Sequence, residues 1–139
     1  LYKAVEGAGR LEDHNLLSDA ARNLALAAFQ RDDERRALTW SRRSVAAAQL
    51  SDVARVKAAA MGTLGEILAG TDDIDAADQA FSRAAQLWVE ANDRNSLSTC
   101  LQTQAAFLMR VDRAEDAQKV LARVDKLTRR PAKTPRPAE

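Results

Sequence analysis

An acidic run at residues 72–78 is the feature most suggestive of chemistry, because closely spaced carboxylates can bind Ca²⁺. A calcium loop beginning at Asp73 would need an oxygen ligand where Ala77 stands and a glycine where Asp78 stands, so the pattern does not fit. Carboxylates are also favoured at a helix N-terminus, where they accept hydrogen bonds from free backbone N–H groups. We therefore predict that Asp72 and Asp73 cap a helix and that the run binds no metal.

Histidine and cysteine are too rare to build the usual catalytic or zinc sites. His14 is the only histidine and Cys100 the only cysteine, so no paired metal site and no internal disulfide can form. Cys100 is predicted to be a small buried residue. The segment Gly7-Ala8-Gly9 lacks the further glycine and the preceding strand of a phosphate-binding loop. The sequence predicts no catalytic residue, no metal and no cofactor, and we do not expect an enzyme.

The charges are balanced along most of the chain. There are 21 basic and 20 acidic side chains, a formal net charge of +1, which does not favour nucleic acid as a partner. Basic residues are concentrated near the C-terminus, beside all three prolines: Lys119, Arg123, Lys126, Arg129, Arg130, Lys133 and Arg136. We expect residues 129–139 to form a flexible tail. Contact of this tail with an acidic partner, nucleic acid or membrane headgroups is the alternative.

Composition favours an all-α protein. The chain of 139 residues holds 29 alanines, only 5 glycines and 4% aromatic residues, and its three prolines lie at positions 131–137. Alanine is the best helix former, and the residues that strands prefer are sparse. No apolar run approaches the roughly 20 residues of a membrane span. Since the chain begins at Leu1 and shows no signal peptide, we expect a cytoplasmic fragment of a larger protein.

The elements that position these residues recur every 40 positions. The motif Leu64-Gly65-x2-Leu68, followed by Ala77-x3-Phe81, has one counterpart a full period before it and another a full period after it. Small residues recur at Ala25, Gly65 and Ala105 and at Ala37, Ala77 and Ala117, and aspartate recurs at Asp32, Asp72 and Asp112. Small side chains let two helices approach closely. We expect the three recurrent aspartates to share one helix-capping role.

Each copy is predicted to be a helical hairpin. We expect helices over His14–Phe29 and Asp33–Ala48, then a helix capped by Ser51 and ended by Gly70 and one opened by Asp72 and Asp73, then helices over Ser96–Arg110 and Arg113–Leu127. The predicted divisions are a remnant at 1–12, repeats at 13–49, 50–91 and 92–128, and the tail at 129–139. The end hairpins lack polar capping helices, so we expect them either to self-associate or to pack against the rest of the parent protein.

The motif Leu64-Gly65-x2-Leu68 with Ala77-x3-Phe81 resembles the tetratricopeptide repeat (TPR) across about residues 1–128. The spacing is 40 rather than about 34 residues, Met61 replaces the usual tryptophan and Val89 replaces the usual proline. The longer unit is similar to a variant in bacterial signal-transduction regulators, quorum-sensing response regulators and Pins-type polarity adaptors. The resemblance implies a right-handed superhelical solenoid of antiparallel hairpins, with about six helices and an N-terminal stub.

The resemblance also implies a binding surface on the concave face, lined by the first helix of each hairpin. The positions it selects are Arg22, Asn23, Leu26, Phe29, Thr63, Glu66, Thr99, Gln102, Ala106 and Met109. For Leu26, Phe29 and Met109, packing between neighbouring repeats is an equally weighted alternative. Some relatives hold a C-terminal carboxylate in a basic clamp. Only Arg22 is basic at the matching positions, so we expect no binding of that type.

These features favour a non-enzymatic scaffold that binds a peptide or helix of another protein. The alternative is a sensing segment of a larger signal-transduction or transcriptional regulator, which would bind a small ligand or signalling peptide. A closed pocket would favour the sensor, whereas an open groove would favour the scaffold. A helical appendage that only stabilises its parent is a third possibility.

Overall fold

Six α-helices make up most of the part of the chain that the computed structural model describes, residues 11–129. No strand occurs between these residues. The predicted N-terminal stub and most of the basic tail lie outside the described residues. The helices are α1 (Leu11–Gln30), α2 (Glu34–Gln49), α3 (Ala54–Ala69), α4 (Ile74–Glu90), α5 (Arg94–Arg110) and α6 (Ala114–Thr128). The all-α prediction is confirmed, and the helices fall in the predicted order.

The helices pack as three hairpins in chain order. Connections of three or four residues join consecutive helices, which makes neighbours antiparallel. The strongest packing is within the pairs α1–α2, α3–α4 and α5–α6. The backbones of the first helices also approach one another in series, α1 with α3 and α3 with α5, whereas those of α2, α4 and α6 do not approach one another in the described region. The first helices therefore form one continuous layer.

Tight turns close three of the helices. Asp32, Asn92 and Asp112 have φ of 59°, 56° and 61°. In each turn the next backbone N–H donates to the carbonyl five residues earlier, at 2.9, 3.2 and 2.8 Å. This is the hydrogen bond that closes a helix around a left-handed residue. The expectation that Asp32, Asp72 and Asp112 cap the following helix is wrong. Asp32 and Asp112 end the preceding helix, and Asp73 rather than Asp72 is the N-cap of α4.

Aspartates cap three of the helices, and one predicted N-cap, Ser51, does not cap its helix. Asp33, Asp73 and Asp93 cap α2, α4 and α5, with their carboxylates accepting from backbone N–H groups at 3.2, 3.3 and 3.0 Å. The prediction for Ser51 is wrong, because α3 begins after Val53, which makes no side-chain cap. Ser51 Oγ instead accepts from the Val53 backbone N–H at 3.0 Å and donates to Asn15 Oδ1, which ties the loop to α1.

The small residues of the repeat lie where the hairpin helices touch, as predicted. All six recurrent small positions are buried. The closest approach is at Gly65, where an ideal Cβ would lie 3.0 Å from Phe81 Cδ1. Phe81 is itself 1% exposed and packs against Phe107, with ring centroids 5.9 Å apart. A core of large side chains on α4 and α5 thus joins the second hairpin to the third.

The first hairpin is held partly by a buried pair of serines. Ser18 Oγ donates to the Ser44 carbonyl at 3.0 Å, and Ser44 Oγ donates to the Ser18 carbonyl at 2.8 Å. The two hydroxyl oxygens lie 3.1 Å apart. In the second hairpin the equivalent positions are Ala58 and Ala84, which are both fully buried. The same contact is therefore polar in one repeat and apolar in the next.

Candidate functional site

A groove of about 540 Å³ runs across the layer of first helices. Arg22 of α1, Glu66 of α3 and Thr99 of α5 all line it, so each hairpin contributes. Phe81 and Trp88 of α4 form part of its wall, because α4 packs between α3 and α5. The groove is thus built by the stacking of the repeats rather than by any single one.

The repeat register determines which side chains meet in the groove. Thr63 of α3 and Thr103 of α5 occupy the same position in successive repeats and both line it, as do Ala59 and Thr99. The Thr99 hydroxyl donates to the Asn95 carbonyl at 3.0 Å, and the Thr103 hydroxyl donates to the Thr99 carbonyl at 2.9 Å. Since these protons are committed to the helix, both hydroxyl oxygens face a partner mainly as acceptors.

Arg22 and Glu66 place opposite charges in the groove. Although Glu66 is exposed overall, its pKa is raised, first because the surrounding groove partly desolvates its carboxylate, and the nearby Arg22 guanidinium partly offsets this by favouring the charged form. Arg22 Nε is buried and has no hydrogen-bond partner among residues 11–129. Arg22 also forms no ion pair within residues 11–129, so the other N–H donors of its guanidinium are available to a partner.

The end of the groove carries a second, separate charge pair. Asp93 and Arg55 both line it. Ser96 holds the pKa of Asp93 below its usual range, chiefly through its backbone N–H and then through its hydroxyl at 2.8 Å, and the Arg55 charge adds a smaller effect. Since Asp93 also caps α5, its carboxylate serves the fold as well as the groove.

A smaller depression of about 260 Å³ continues from the groove. Phe29, Glu66, Ala106 and Arg110 line it, and Glu66 belongs to both depressions. Phe29 is 36% exposed and lies over Gly70, where an ideal Cβ would come within 3.0 Å of the ring. Phe29 therefore packs between repeats and is still accessible.

The structure brings together six of the ten positions selected from the resemblance. Arg22, Thr63, Glu66 and Thr99 line the groove, and Phe29 and Ala106 line the smaller depression beside it.

The other four positions line neither depression. Asn23 and Gln102 are exposed, and the Gln102 amide donates to Ser98 Oγ at 3.4 Å. Met109 is 50% exposed, and Leu26 is half-buried.

Sequence reasoning missed the residues at the end of the groove. Arg55, Trp88, Asp93, Asn95 and Ser96 all line it. A usable signal was present, because Arg55 and Asn95 occupy equivalent repeat positions at the start of two first helices. The ten predicted positions leave out the first turn of each first helix, so they include neither Arg55 nor Asn95.

The groove contains the thiol of Cys100, the only cysteine of the chain. Cys100 lies at its floor, but burial raises the pKa of the thiol to about 11, so the nucleophilic thiolate is scarce near neutral pH. Between residues 11 and 129, no three His, Cys, Asp or Glu side chains are grouped closely enough to hold a metal ion. None of the described helices is both long enough and apolar enough to cross a membrane.

Comparison with known proteins adds no relative to these observations. No family model, no curated protein and no solved structure matches the chain. The groove and its recurrent positions are therefore the basis for inferring function.

Proposed function

We propose that this chain is a non-enzymatic interaction module that binds a peptide or helix of another protein in the groove across α1, α3 and α5. One observation carries the proposal: side chains from all three hairpins converge on one surface, and register-equivalent residues such as Thr63 and Thr103 recur along it. Stacked hairpins with a shared layer of first helices are what TPR-type scaffolds use for binding. A bacterial signalling protein is the parent that this resemblance favours.

The shape of the groove favours an elongated ligand over a small one. Four of its lining side chains, Arg55, Glu66, Asn95 and Thr99, are exposed, so the groove is open to solvent. A small-molecule site would enclose most of its ligand. This openness supports the scaffold rather than the sensing segment.

The chemistry of the groove suits a polar peptide with an aliphatic or aromatic anchor. Arg22 supplies guanidinium donors, whereas Glu66 and the threonine hydroxyls supply acceptors. Trp88, which is half-buried, adds apolar surface. An anchor against this surface, flanked by hydrogen bonds to the charged pair, is the usual layout of an energetic centre in an interface.

Selection from a displayed library of random peptides tests the proposal directly. Peptides are enriched on the wild-type chain and their affinities measured by fluorescence anisotropy. We expect micromolar binders whose Kd rises at least about tenfold with Arg22→Ala or Glu66→Ala, as for residues at the centre of an interface. Lys126→Ala is the matched charge control on the exposed side of α6 and should leave Kd unchanged.

Two outcomes would count against the groove. One is that enriched peptides bind equally well to the wild type and to both groove variants. The other is that Lys126→Ala weakens binding as much as Arg22→Ala does, because the peptides would then recognise only positive charge.

The end hairpins support a further part of the proposal, self-association. Leu16 is 54% exposed on α1, whereas Val56, its equivalent in the next repeat, is 2% exposed because α2 covers it. Leu50 and Leu121 are also exposed, at 60% and 38%. Light scattering should show a mass that rises with concentration. A monomer at high micromolar concentration would contradict this part alone.

A further inference from the structure

The outer face of α2 carries charges that the repeat does not require. Arginine occupies positions 35, 36 and 42, and all three side chains are exposed. The equivalent residues are Asp75, Ala76 and Ser82 on α4 and Glu115, Asp116 and Ala122 on α6. Because α4 and α6 form the same hairpins without these arginines, the fold alone does not explain them.

Two of these arginines, Arg35 and Arg36, border a shallow depression of about 690 Å³, and Arg42 lies outside it. Its lining residues are Asp33, Arg35, Arg36, Thr39, Trp40 and Arg43. The Arg43 guanidinium lies 4.9 Å from the centre of the Trp40 ring. A guanidinium stacked on an aromatic face still has its in-plane N–H donors free for a carboxylate.

The positive charge of the depression is largely uncompensated. Arg36 forms an ion pair with Asp33 at 3.5 Å, and both side chains are well exposed. Arg35, Arg42 and Arg43 form no ion pair with any residue between 11 and 129. Residues seven apart on a helix are separated by about 10 Å, so Arg35 and Arg42 can contact anionic groups two helical turns apart.

We propose that this α2 face is a second interaction surface, which binds an acidic segment of a partner protein. Arginine and tryptophan are the residues enriched at energetic centres of protein interfaces, and this face holds no lysine. The proposal is independent of the groove, which lies on the first helices.

Local charge favours a short acidic segment over a nucleic acid. Asp32, Asp33 and Glu34 lie at the N-terminal end of the same face, and the whole chain is nearly neutral. A long polyanion would have to pass these carboxylates. A short segment with a few clustered Asp or Glu residues can pair with the arginines and end before it reaches these carboxylates.

Binding of a fluorescein-labelled decaglutamate peptide to the full chain, followed by anisotropy at low salt, tests the proposal. Arg35→Ala/Arg36→Ala/Arg42→Ala should raise Kd at least about tenfold. Alanine is the better helix former, so circular dichroism should be unchanged. The matched control, Arg130→Ala/Lys133→Ala/Arg136→Ala, removes the same charge from the tail and should change Kd less than twofold. Equal losses in the two variants would overturn the proposal.

The intrinsic fluorescence of Trp40 gives a second readout that locates the contact. The variant Trp88→Phe leaves Trp40 as the only tryptophan. Decaglutamate should change its fluorescence, with the same Kd as the anisotropy. An unchanged Trp40 signal at saturating peptide would overturn the proposal. It would also be overturned if a uridine 20-mer bound through the same arginines more tightly than decaglutamate does.

Discussion

Replacing Gly65 with alanine is expected to destabilise the chain, although alanine is the better helix former. Gly65 lies in the interior of α3, where glycine costs about 1 kcal/mol relative to alanine. The added Cβ would lie 3.0–3.2 Å from three atoms of the Phe81 ring. Phe81 is buried against Phe107, so its ring has little room to withdraw.

The size of the effect follows from these two opposing terms. Overpacking a core by one methyl group costs about 1–3 kcal/mol. After subtraction of the propensity gain, Gly65→Ala should lower the free energy of unfolding by about 1 kcal/mol. The neighbouring repeats show how the overlap is avoided, since Ala25 is paired with Ser41 and Ala105 with Leu121 at the equivalent positions.

The double variant Gly65→Ala/Phe81→Leu tests the reasoning, because it copies the third hairpin's pair into the second. In the Phe81→Leu background the overlap is absent, so Gly65→Ala should raise stability by about 1 kcal/mol, giving a coupling of about 2 kcal/mol. Urea unfolding followed by far-UV circular dichroism resolves such changes as midpoint shifts of roughly 0.5 M. A stabilising effect of Gly65→Ala in both backgrounds would refute the steric explanation.

Three further predictions concern the turns, the serine pair and the thiol. Asp112→Val should lower the free energy of unfolding by about 1–2 kcal/mol, because a β-branched residue resists the left-handed φ of 61°. Asp112→Gly should not lower it, and the urea unfolding midpoints of the two variants measure the difference. Ser44→Ala should cost about 0.5–1.5 kcal/mol by removing the buried hydrogen bond from its hydroxyl to the Ser18 carbonyl, and Ser18→Ala/Ser44→Ala should cost less than the sum of the single changes. The pKa of Cys100 is raised to about 11, so from about pH 9 upward the native thiol keeps a proton that the unfolded thiol has lost, and stability falls by up to about 1.4 kcal/mol per pH unit. Cys100→Ala should remove this component from unfolding curves, and an identical pH dependence in the two proteins would contradict it.

The helices and their contacts were predictable because a single period determines them. Small residues at equivalent positions identified the interfaces within hairpins, and the register relates Thr63 of one repeat to Thr103 of the next. Local turn geometry was harder to predict. Asp32 and Asp33 are both good capping residues, and only the backbone shows that Asp32 adopts a left-handed φ while Asp33 caps α2.

The groove could be predicted only in part. Its middle follows from helix periodicity, which places Arg22 and Glu66 on the layer of first helices. Its end depends on how α3 packs against the α4–α5 turn, which brings Arg55 near Asp93, and that packing depends on long-range contacts. The arginine face of α2 was missed for a different reason, since a whole-chain charge of +1 conceals local segregation.

Chemical-shift mapping with a selected peptide is the most direct test of the groove as the binding site. In ¹H–¹⁵N spectra of the full chain, the account predicts that the largest amide perturbations fall on α1, α3 and α5, centred on Arg22, Thr63, Glu66, Thr99 and Thr103. Perturbations confined to α2, α4 and α6, or spread evenly over the surface, would contradict the account.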